Sequence, residues 1–327
     1  MSNNINWGKI YESTYWGNTD NNISWGKVYA DLAGVVPALV SEFVSRVEAD
    51  GGSVESTECL STNLTFLVQN PEPVAFTGLL NDYSGAAAAY SLRLLDNTYT
   101  GDAIVVRRAS DNTTQAIGFV NNELDTATLE SFCSGTDGFV TTWYDQSGNG
   151  NDATQASASA QPKIVSSGST ILENGKATLE FDGSNRFNSS INLTAEQSAI
   201  AVATKSTSQA YLTSDNLNHH AIISGFINGF ESFNGPRFTI TSSPTTTIGI
   251  ISQFISSTFA SFYNQTAGAT GTTSDTSATT ILRIGGYESN TIYDYTGKIT
   301  EMIFYSSDER ANQSGIYTNI NDFYSIY

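Results

Sequence analysis

Short apolar runs separated by Gly, Asn, Asp and Ser fill the chain from about residue 76 onwards. Five of them have strand character, at residues 103–108, 139–143, 177–181, 199–203 and 299–305. Many short runs with turn residues between them are typical of antiparallel sandwiches and jelly rolls. The pattern therefore predicts an all-β domain, a concanavalin A-like jelly-roll sandwich, over residues 76–327.

Helical spacing of apolar residues marks two other segments. Residues 36–47 carry apolar side chains three and four positions apart, and Pro37 is tolerated in a first helical turn. Near the C-terminus, residues 306–309 resemble a capping box, and Ile316, Ile320 and Phe323 follow at helical spacing. We expect a short N-terminal helix and a C-terminal helix beside the sandwich.

These segments divide the chain into three parts. A strand-like run at residues 64–68 is followed by Asn-Pro-Glu-Pro at residues 70–73, which has the composition of a linker. We expect an extended arm over residues 1–34, a short helix, strand and linker over residues 35–75, and the sandwich over residues 76–327.

The arm contains a repeat. Residues 5–11, INWGKIY, return as residues 23–29, ISWGKVY, and a Tyr-Trp-Gly echo lies between them. One interpretation is a pair of hairpins packed on the main domain. The favoured interpretation is an anchor that binds a partner protein, because Trp and Tyr carry much of the energy of protein interfaces. The expected binding residues are Trp7, Tyr11, Trp16, Trp25 and Tyr29.

Charge and cysteine content narrow the class of protein. Lys and Arg number 14 against 32 acidic residues, a net charge of −18, so nucleic acid would be repelled. The sequence shows no apolar run long enough to span a membrane and no signal peptide at its start, so we expect synthesis in a cytoplasm. Cys59 and Cys133 are too few for a disulfide framework and are expected to be buried thiols.

Several sequence blocks carry a family resemblance. YSLRLL at residues 90–95, VRRASD at 106–111, FC at 132–133, WYDQSGNGN at 143–151 and IGG at 284–286 keep their order along the chain. They resemble the catalytic domain of family 54 glycoside hydrolases, of the α-L-arabinofuranosidase B type. That resemblance implies a concanavalin A-like sandwich. The FDG turn at residues 181–183, common in such sandwiches, favours the same fold.

The resemblance also implies two catalytic carboxyl groups, as retaining glycosidases require. It brings Ser243 to the position of the family's nucleophile, and Tyr287 follows Gly285-Gly286 where the family has its acid. Glu288 is the nearest acid. These replacements predict no catalytic residues and no enzyme, but a sandwich that binds glycans through Trp143, Tyr144, Ser243 and Tyr287.

The loop that follows Trp143 has two interpretations. Asp145, Asn149, Asn151 and Asp152 offer oxygen ligands for Ca²⁺. The plainer interpretation, which we favour, is a structural loop in which Asp and Asn bind backbone N–H groups and the glycines adopt positive φ. No other cofactor is expected.

Together these observations favour a tailed-bacteriophage virion protein of the head or tail. Its arm would bind other virion proteins, and its lectin-like sandwich would bind a host-surface glycan. By analogy with phage fibres we expect a homo-oligomer, a trimer before a dimer, on the virion surface, without nucleic-acid binding or membrane insertion. The alternative is an arabinofuranosidase-type hydrolase whose carboxylates align elsewhere.

Overall fold

The chain divides into two compact units, residues Met1–Ala75 and Phe76–Tyr327. This computed structural model describes residues 28–30, 53–60, 63–69, 76–194, 196–204, 210–215, 222–226, 229–232, 248–272, 281–286 and 294–327. The predicted helix at 36–47 and the arm residues Trp7, Tyr11, Trp16 and Trp25 lie outside the described residues.

The described part of the first unit is a small antiparallel sheet. Its strands are β1 Val28–Ala30, β2 Ser53–Leu60 and β3 Asn63–Gln69, in the order β1-β3-β2. β3 contains the predicted strand, and β1 contains Tyr29, whose register partner is Thr65.

The second unit begins with helix α1 and contains most of the strands. In chain order its first elements are α1 Leu79–Asp82, β4 Ala86–Ser91, β5 Ile104–Arg108, β6 Thr114–Ile117, β7 Phe119–Val120, β8 Glu123–Leu124, α2 Thr126–Phe132, β9 Gly138–Trp143, β10 Ala153–Thr154, β11 Lys163–Ser166 and β12 Ser169–Thr170. There follow β13 Leu172–Glu173, β14 Lys176–Ala177, β15 Leu179–Asp182, β16 Phe187–Ser189, β17 Gln197–Ala203, β18 Ala210–Tyr211, β19 Thr213–Asp215, β20 Ile222–Phe226, β21 Gly229–Ser232, β22 Gly249–Ile255, β23 Thr258–Tyr263, β24 Thr266–Thr272, β25 Leu282–Ile284, β26 Thr296–Tyr305 and α3 Gln313–Tyr324.

The main sheet system runs in the order β19-β25-β16-β10-β9-β11-β15-β26-β17-β22-β23-β24. β26 is its central strand. On one edge it pairs with β15 through Thr296–Ile299 and then with β4 through Glu301–Tyr305, and on the other edge it pairs with β17. The change of partner along one edge lets the two layers diverge from a shared strand.

Alternating residues of β26 enter two different cores. Met302 and Phe304 join the larger core, between the layers, whereas Ile303 and Tyr305 join a smaller core under α3. This follows from the two-residue period of a strand, in which successive side chains point to opposite faces. Because both faces are covered at its C-terminal end, the strand is apolar without interruption from Met302 to Tyr305, and this run is predicted well from its sequence.

A buried ion pair lies beneath α3. The Arg93 guanidinium donates to both carboxylate oxygens of Glu301, with Nε to Oε2 at 2.7 Å and Nη2 to Oε1 at 3.0 Å. Ser91 and Tyr324 also donate hydroxyl hydrogen bonds to Glu301, and Asn319 accepts one from Arg93. Burial raises the pKa of the Tyr324 hydroxyl well above its ordinary value, and the charge of Glu301 adds to this.

The expected C-terminal helix is confirmed, but it begins differently from the predicted capping box. Asp308 caps a 3₁₀ turn, Glu309–Asn312, by accepting a hydrogen bond from the Arg310 backbone N–H. Ser307 donates its hydroxyl to the Glu309 side chain rather than capping the turn. Ile316 and Ile320 then point into the smaller core.

The second unit is a mostly β-sheet sandwich with few helices, as the sequence predicts. Cys133 is a buried free thiol, also as expected. Across the described residues, no helix has the length and apolar character needed to cross a membrane.

Candidate functional site

The loop at residues 144–152 covers one edge of β4. β4 pairs with β26 on one side, and on the other side the Ala89 backbone meets the loop. Its N–H donates to Asp145 Oδ1 at 2.8 Å, and its carbonyl accepts from the Gln146 backbone N–H at 2.8 Å. Because an uncovered strand edge exposes unpaired backbone groups, the loop takes the place of a neighbouring strand.

Amide side chains of the loop extend this cover along β4. Asn149 Nδ2 donates to the carbonyl of Ala86 at 2.9 Å, and Asn151 Nδ2 donates to that of Ala87 at 2.8 Å. Gln146 Nε2 reaches the carbonyl of Ser91 at 3.1 Å. The polar side chains of this motif therefore hydrogen-bond to the backbone of a neighbouring strand.

The Asp145 carboxylate organises the loop itself. The side chain is buried, and it accepts hydrogen bonds from the backbone N–H groups of Ala89, Ser147 and Asn151 and from the Ser147 hydroxyl. Gly148 and Gly150 have φ of 84° and 72°, the left-handed region that glycine tolerates.

This bonding favours the structural interpretation of the loop. N–H donors surround the Asp145 oxygens, and Asp152 Oδ1 accepts from the Asp145 backbone N–H at 3.0 Å. Over the described ranges, no cluster of three or more His, Cys, Asp or Glu side chains suits a metal ion. The calcium site at Asp145, Asn149, Asn151 and Asp152 stays a prediction that no observation supports.

Trp143 does not line a surface, so its expected role in glycan binding is wrong. It is 0% exposed and packs in the larger core, with its ring centroid 5.7 Å from that of Tyr90 and 6.2 Å from that of Phe187. The cause is a β-bulge: Val105 pairs with Thr142 but Val106 pairs with Val140, so Thr141 is an extra residue. The extra residue turns Trp143 inward.

The other three expected glycan-binding residues are not brought together by the described structure. Tyr144 is partly buried, and burial followed by the charges of Asp102 and Asp152 raises the pKa of its hydroxyl. Ser243 and Tyr287 lie outside the described residues, as does Glu288. Glycan binding by these residues stays a prediction.

A second polar region, which we name the polar cleft, has a volume of about 760 Å³. The segment after β10, the turn between β15 and β16, and strands β16 and β25 form its walls. Its lining residues are Gln155, Ser157, Ser159, Ala160, Gly183, Ser184, Arg186, Asn188, Arg283 and Asp294.

Buried amide side chains fix the floor of the polar cleft. Gln155 Nε2 donates to the carbonyl of Arg186 at 2.7 Å, and Gln161 Nε2 donates to that of Gln155 at 3.0 Å. Asn185 Nδ2 in turn donates to the carbonyl of Gln161 at 3.1 Å. This chain of hydrogen bonds ties the segment after β10 to the turn before β16, so the lining side chains project from a defined backbone.

Asp294 brings a carboxylate to the polar cleft. The side chain is 1% exposed, and its Oδ2 lies 3.6 Å from Nη1 of Arg186. Its Oδ1 approaches Gly286 so closely that a Cβ on Gly286 would lie 2.5 Å away. Only glycine permits this approach, which places Asp294 against the Gly285-Gly286 pair singled out in the sequence.

Sequence reasoning missed Arg186, Arg283 and Asp294. Arg186 follows directly from the FDGSN segment, which signals the fold, and Asp294 follows the Gly-Gly pair by eight residues. Neither spacing predicts a shared site, because the turn that carries Arg186 and the segment that carries Asp294 are brought together by the long-range pairing of β15 with β26, in which Asp182 lies opposite Thr296.

Residues 82–226 match the family model described as "Alpha-L-arabinofuranosidase B, catalytic". The alpha-L-arabinofuranosidase B of Emericella nidulans is 43% identical over 72 residues, and the alpha-L-arabinofuranosidase of Hypocrea jecorina is 42% identical over 71 residues. Each alignment covers 21% of this chain and 14% of the relative. The family resemblance is thus confirmed over part of the chain.

Solved structures show the same fold. An arabinofuranosidase complexed with arabinofuranosyl-alpha-1,2-xylobiose superposes with a TM-score of 0.54 at 18% identity, over 72% of this chain and 62% of that one. A GH54 α-L-arabinofuranosidase soaked with a cyclic sulfate inhibitor gives 0.55 at 17% identity, with the same coverage. This chain therefore spans less than two thirds of these proteins, and the superpositions establish the sandwich.

These comparisons correct four expectations. A virion structural protein and a non-enzymatic sandwich are both wrong, because the family model and the fungal relatives are those of arabinofuranosidases. The comparisons give no support to a phage head or tail fibre, and the virion surface is the wrong location for the same reason. The residues Ser243 and Tyr287 in place of the family's carboxylates are thus a weaker guide to function than the long motif at residues 143–151.

Proposed function

We propose that this chain is a glycoside hydrolase that acts on α-L-arabinofuranosides, with the polar cleft as its substrate site. The observation that carries the proposal is that most residues lining the cleft lie within the part of the chain that matches the family model. Of the lining residues, Arg283 and Asp294 lie beyond residue 226, and all the others lie within the matched range 82–226.

The shape of the polar cleft suits a sugar ligand. Its volume of about 760 Å³ falls within the range of small-molecule sites, roughly 300 to 1,000 Å³. Ser157, Ser159 and Asn188 offer hydroxyl and amide groups for hydrogen bonds to sugar hydroxyls. The fixed floor keeps these groups in place when the ligand binds.

Hydrolysis requires two carboxyl groups beside the glycosidic bond, one to protonate the leaving oxygen and one to attack or stabilise the sugar. We assign the second role to Asp294, because the neighbouring Arg186 favours a charged carboxylate. Glu288 follows Gly286 by two residues and is our candidate for the acid. Water supplies the hydroxyl of the released arabinose.

The test uses the full chain with an aryl α-L-arabinofuranoside and with arabinan. We expect turnover, and we expect Asp294→Asn and Glu288→Gln each to lower kcat by roughly 100-fold or more. Asp308→Asn is the matched control, since Asp308 also pairs with an arginine, at 3.4 Å, but lies beside α3. That variant should keep full activity.

Two results would contradict the proposal at different levels. If the folded chain leaves both substrates intact, the hydrolase proposal is wrong. If the chain is active and the Asp294→Asn variant equally so, the assignment of Asp294 is wrong while the activity stands.

A further inference from the structure

The polar cleft concentrates positive charge in an acidic protein. The chain has 14 basic residues against 32 acidic ones, a net charge of −18, yet two of its arginines, Arg186 and Arg283, line this one cleft. Among the lining residues that the structure describes, they stand beside one acid, Asp294, so this described lining carries one more positive than negative charge. A locally positive cleft in a strongly negative protein stabilises an anionic group.

Arg186 is held in position and has donors to spare. Its backbone N–H donates to the carbonyl of Ala160 at 3.0 Å, and its own carbonyl accepts from Gln155. Its side chain is 31% exposed, and the 3.6 Å separation from Asp294 exceeds a hydrogen-bond distance. A guanidinium carries five N–H donors, so this one long ion pair leaves Arg186 with donors for a ligand in the cleft.

Arg283 is fixed by the sheet. It lies in β25, opposite Asn188 of β16 on one side and Ser214 of β19 on the other. Its neighbours Leu282 and Ile284 point into the larger core, so strand alternation directs Arg283 to the opposite face, that of the cleft. Asn188, its register partner, lines the same cleft.

We propose that Arg186 and Arg283 form a subsite for a sugar carboxylate, so that the preferred ligand is a uronate-bearing glycan. This inference rests on the proposed function, because it assumes that the polar cleft also holds the arabinofuranosyl group of the same glycan. A guanidinium matches a carboxylate through two parallel hydrogen bonds, which are stronger than those to neutral hydroxyls. A neutral sugar gains no such contact, so the two arginines discriminate by charge.

The test measures binding rather than turnover. The probes are a glucuronate-bearing xylo-oligosaccharide and the same compound with its carboxyl group reduced to an alcohol, titrated calorimetrically into the full chain. We expect the acid form to bind about 10-fold more tightly, as one charged hydrogen-bonded contact of about 1.4 kcal/mol provides. The difference should shrink at high salt, because the site is partly exposed.

Arg186→Gln should remove the preference for the acid form, and Arg283→Gln should reduce it. Arg108→Gln is the matched control, since Arg108 is 34% exposed and pairs with Asp111, away from the cleft. The control should keep the full preference. A sulfate ester of the reduced compound forms a third arm, and tighter binding of the sulfate than of the carboxylate would overturn the uronate assignment.

The outcomes separate this inference from the proposed hydrolase. Equal binding of the acid and reduced probes would overturn the subsite even if the neutral aryl arabinofuranoside is hydrolysed. A preference for the acid form that is lost in Arg186→Gln would support the subsite even if hydrolysis fails.

Discussion

The region under α3 and the polar cleft each pair an arginine with a carboxylate, but the two arginines differ in how many of their N–H donors are hydrogen-bonded. Arg93 gives two hydrogen bonds to Glu301 and a third to Asn319, and almost none of its surface reaches solvent. Arg186 has one ion pair at 3.6 Å and an exposed edge. The number of satisfied donors, rather than the residue types, separates a structural ion pair from a binding site.

The largest effect should come from breaking the satisfied pair. Arg93→Ala leaves Glu301 buried without its partner, so we expect the free energy of unfolding to fall by about 3 to 5 kcal/mol, measured by urea denaturation of the full chain. The double variant Arg93→Met with Glu301→Leu should recover much of this loss. If Arg93→Ala costs no more than Arg186→Ala, the distinction drawn between the two arginines is wrong.

The loop beside β4 should respond almost as strongly. Asp145→Ala removes the acceptor for three backbone N–H groups, and we expect a loss of about 3 kcal/mol in the free energy of unfolding. Asp111 binds Arg108 and Thr113 in a similar way on an exposed turn, so Asp111→Ala is the matched control. A loss at Asp111 as large as that at Asp145 would contradict the role we give to burial.

Alkaline pH should act through the region under α3. The pKa of Tyr324 is raised, so its contribution to stability is complete below pH 10 and is lost as the pH rises above that value, when the unfolded chain ionises first. Tyr324→Phe should flatten the fall of unfolding free energy above pH 10 by up to about 1.4 kcal/mol per pH unit. Arg186→Gln should leave the slope unchanged, and an unchanged slope in Tyr324→Phe would refute the attribution.

The smallest effect on stability should come from the polar cleft itself. Arg186→Gln removes a side chain with one long ion pair, so we expect the free energy of unfolding to change by less than about 0.5 kcal/mol. Thermal and urea denaturation of the full chain measure this change. A loss above about 2 kcal/mol would show that Arg186 is a structural residue like Arg93.

Sequence patterns predict the fold well where both faces of an element are covered. β17 is found because its positions after Gln197 are apolar or small, and β26 because it ends in an unbroken apolar run, Met302–Tyr305. α3 is found because its apolar residues repeat at helical spacing. The sequence also identifies the loop at residues 144–152 as structural, because Asp, Asn and Gly have local reasons to form turns.

Side-chain direction and the cleft are less predictable, for physical reasons. Trp143 precedes a polar loop, and nothing local shows that Thr141 is an extra residue in the pairing of β9 with β5. The cleft depends on the pairing of β16 with β25, which joins residues almost one hundred positions apart. Long-range strand pairing is not encoded in a local pattern, so Arg186 and Arg283 cannot be placed together from sequence.

The position of β26 sets the order in which the molecule can fold. This strand is the last in the chain, yet it holds β4, β15 and β17 together, and its pairing of Glu301 with Ser91 spans more than two hundred residues. Until synthesis has passed Tyr305, the earlier strands have open edges and an incomplete core. Topologies dominated by such distant pairings fold slowly and expose aggregation-prone edges meanwhile. A ribosome that pauses before residue 296 would therefore hold a chain that needs a chaperone, and truncation of the final thirty or so residues should yield insoluble protein.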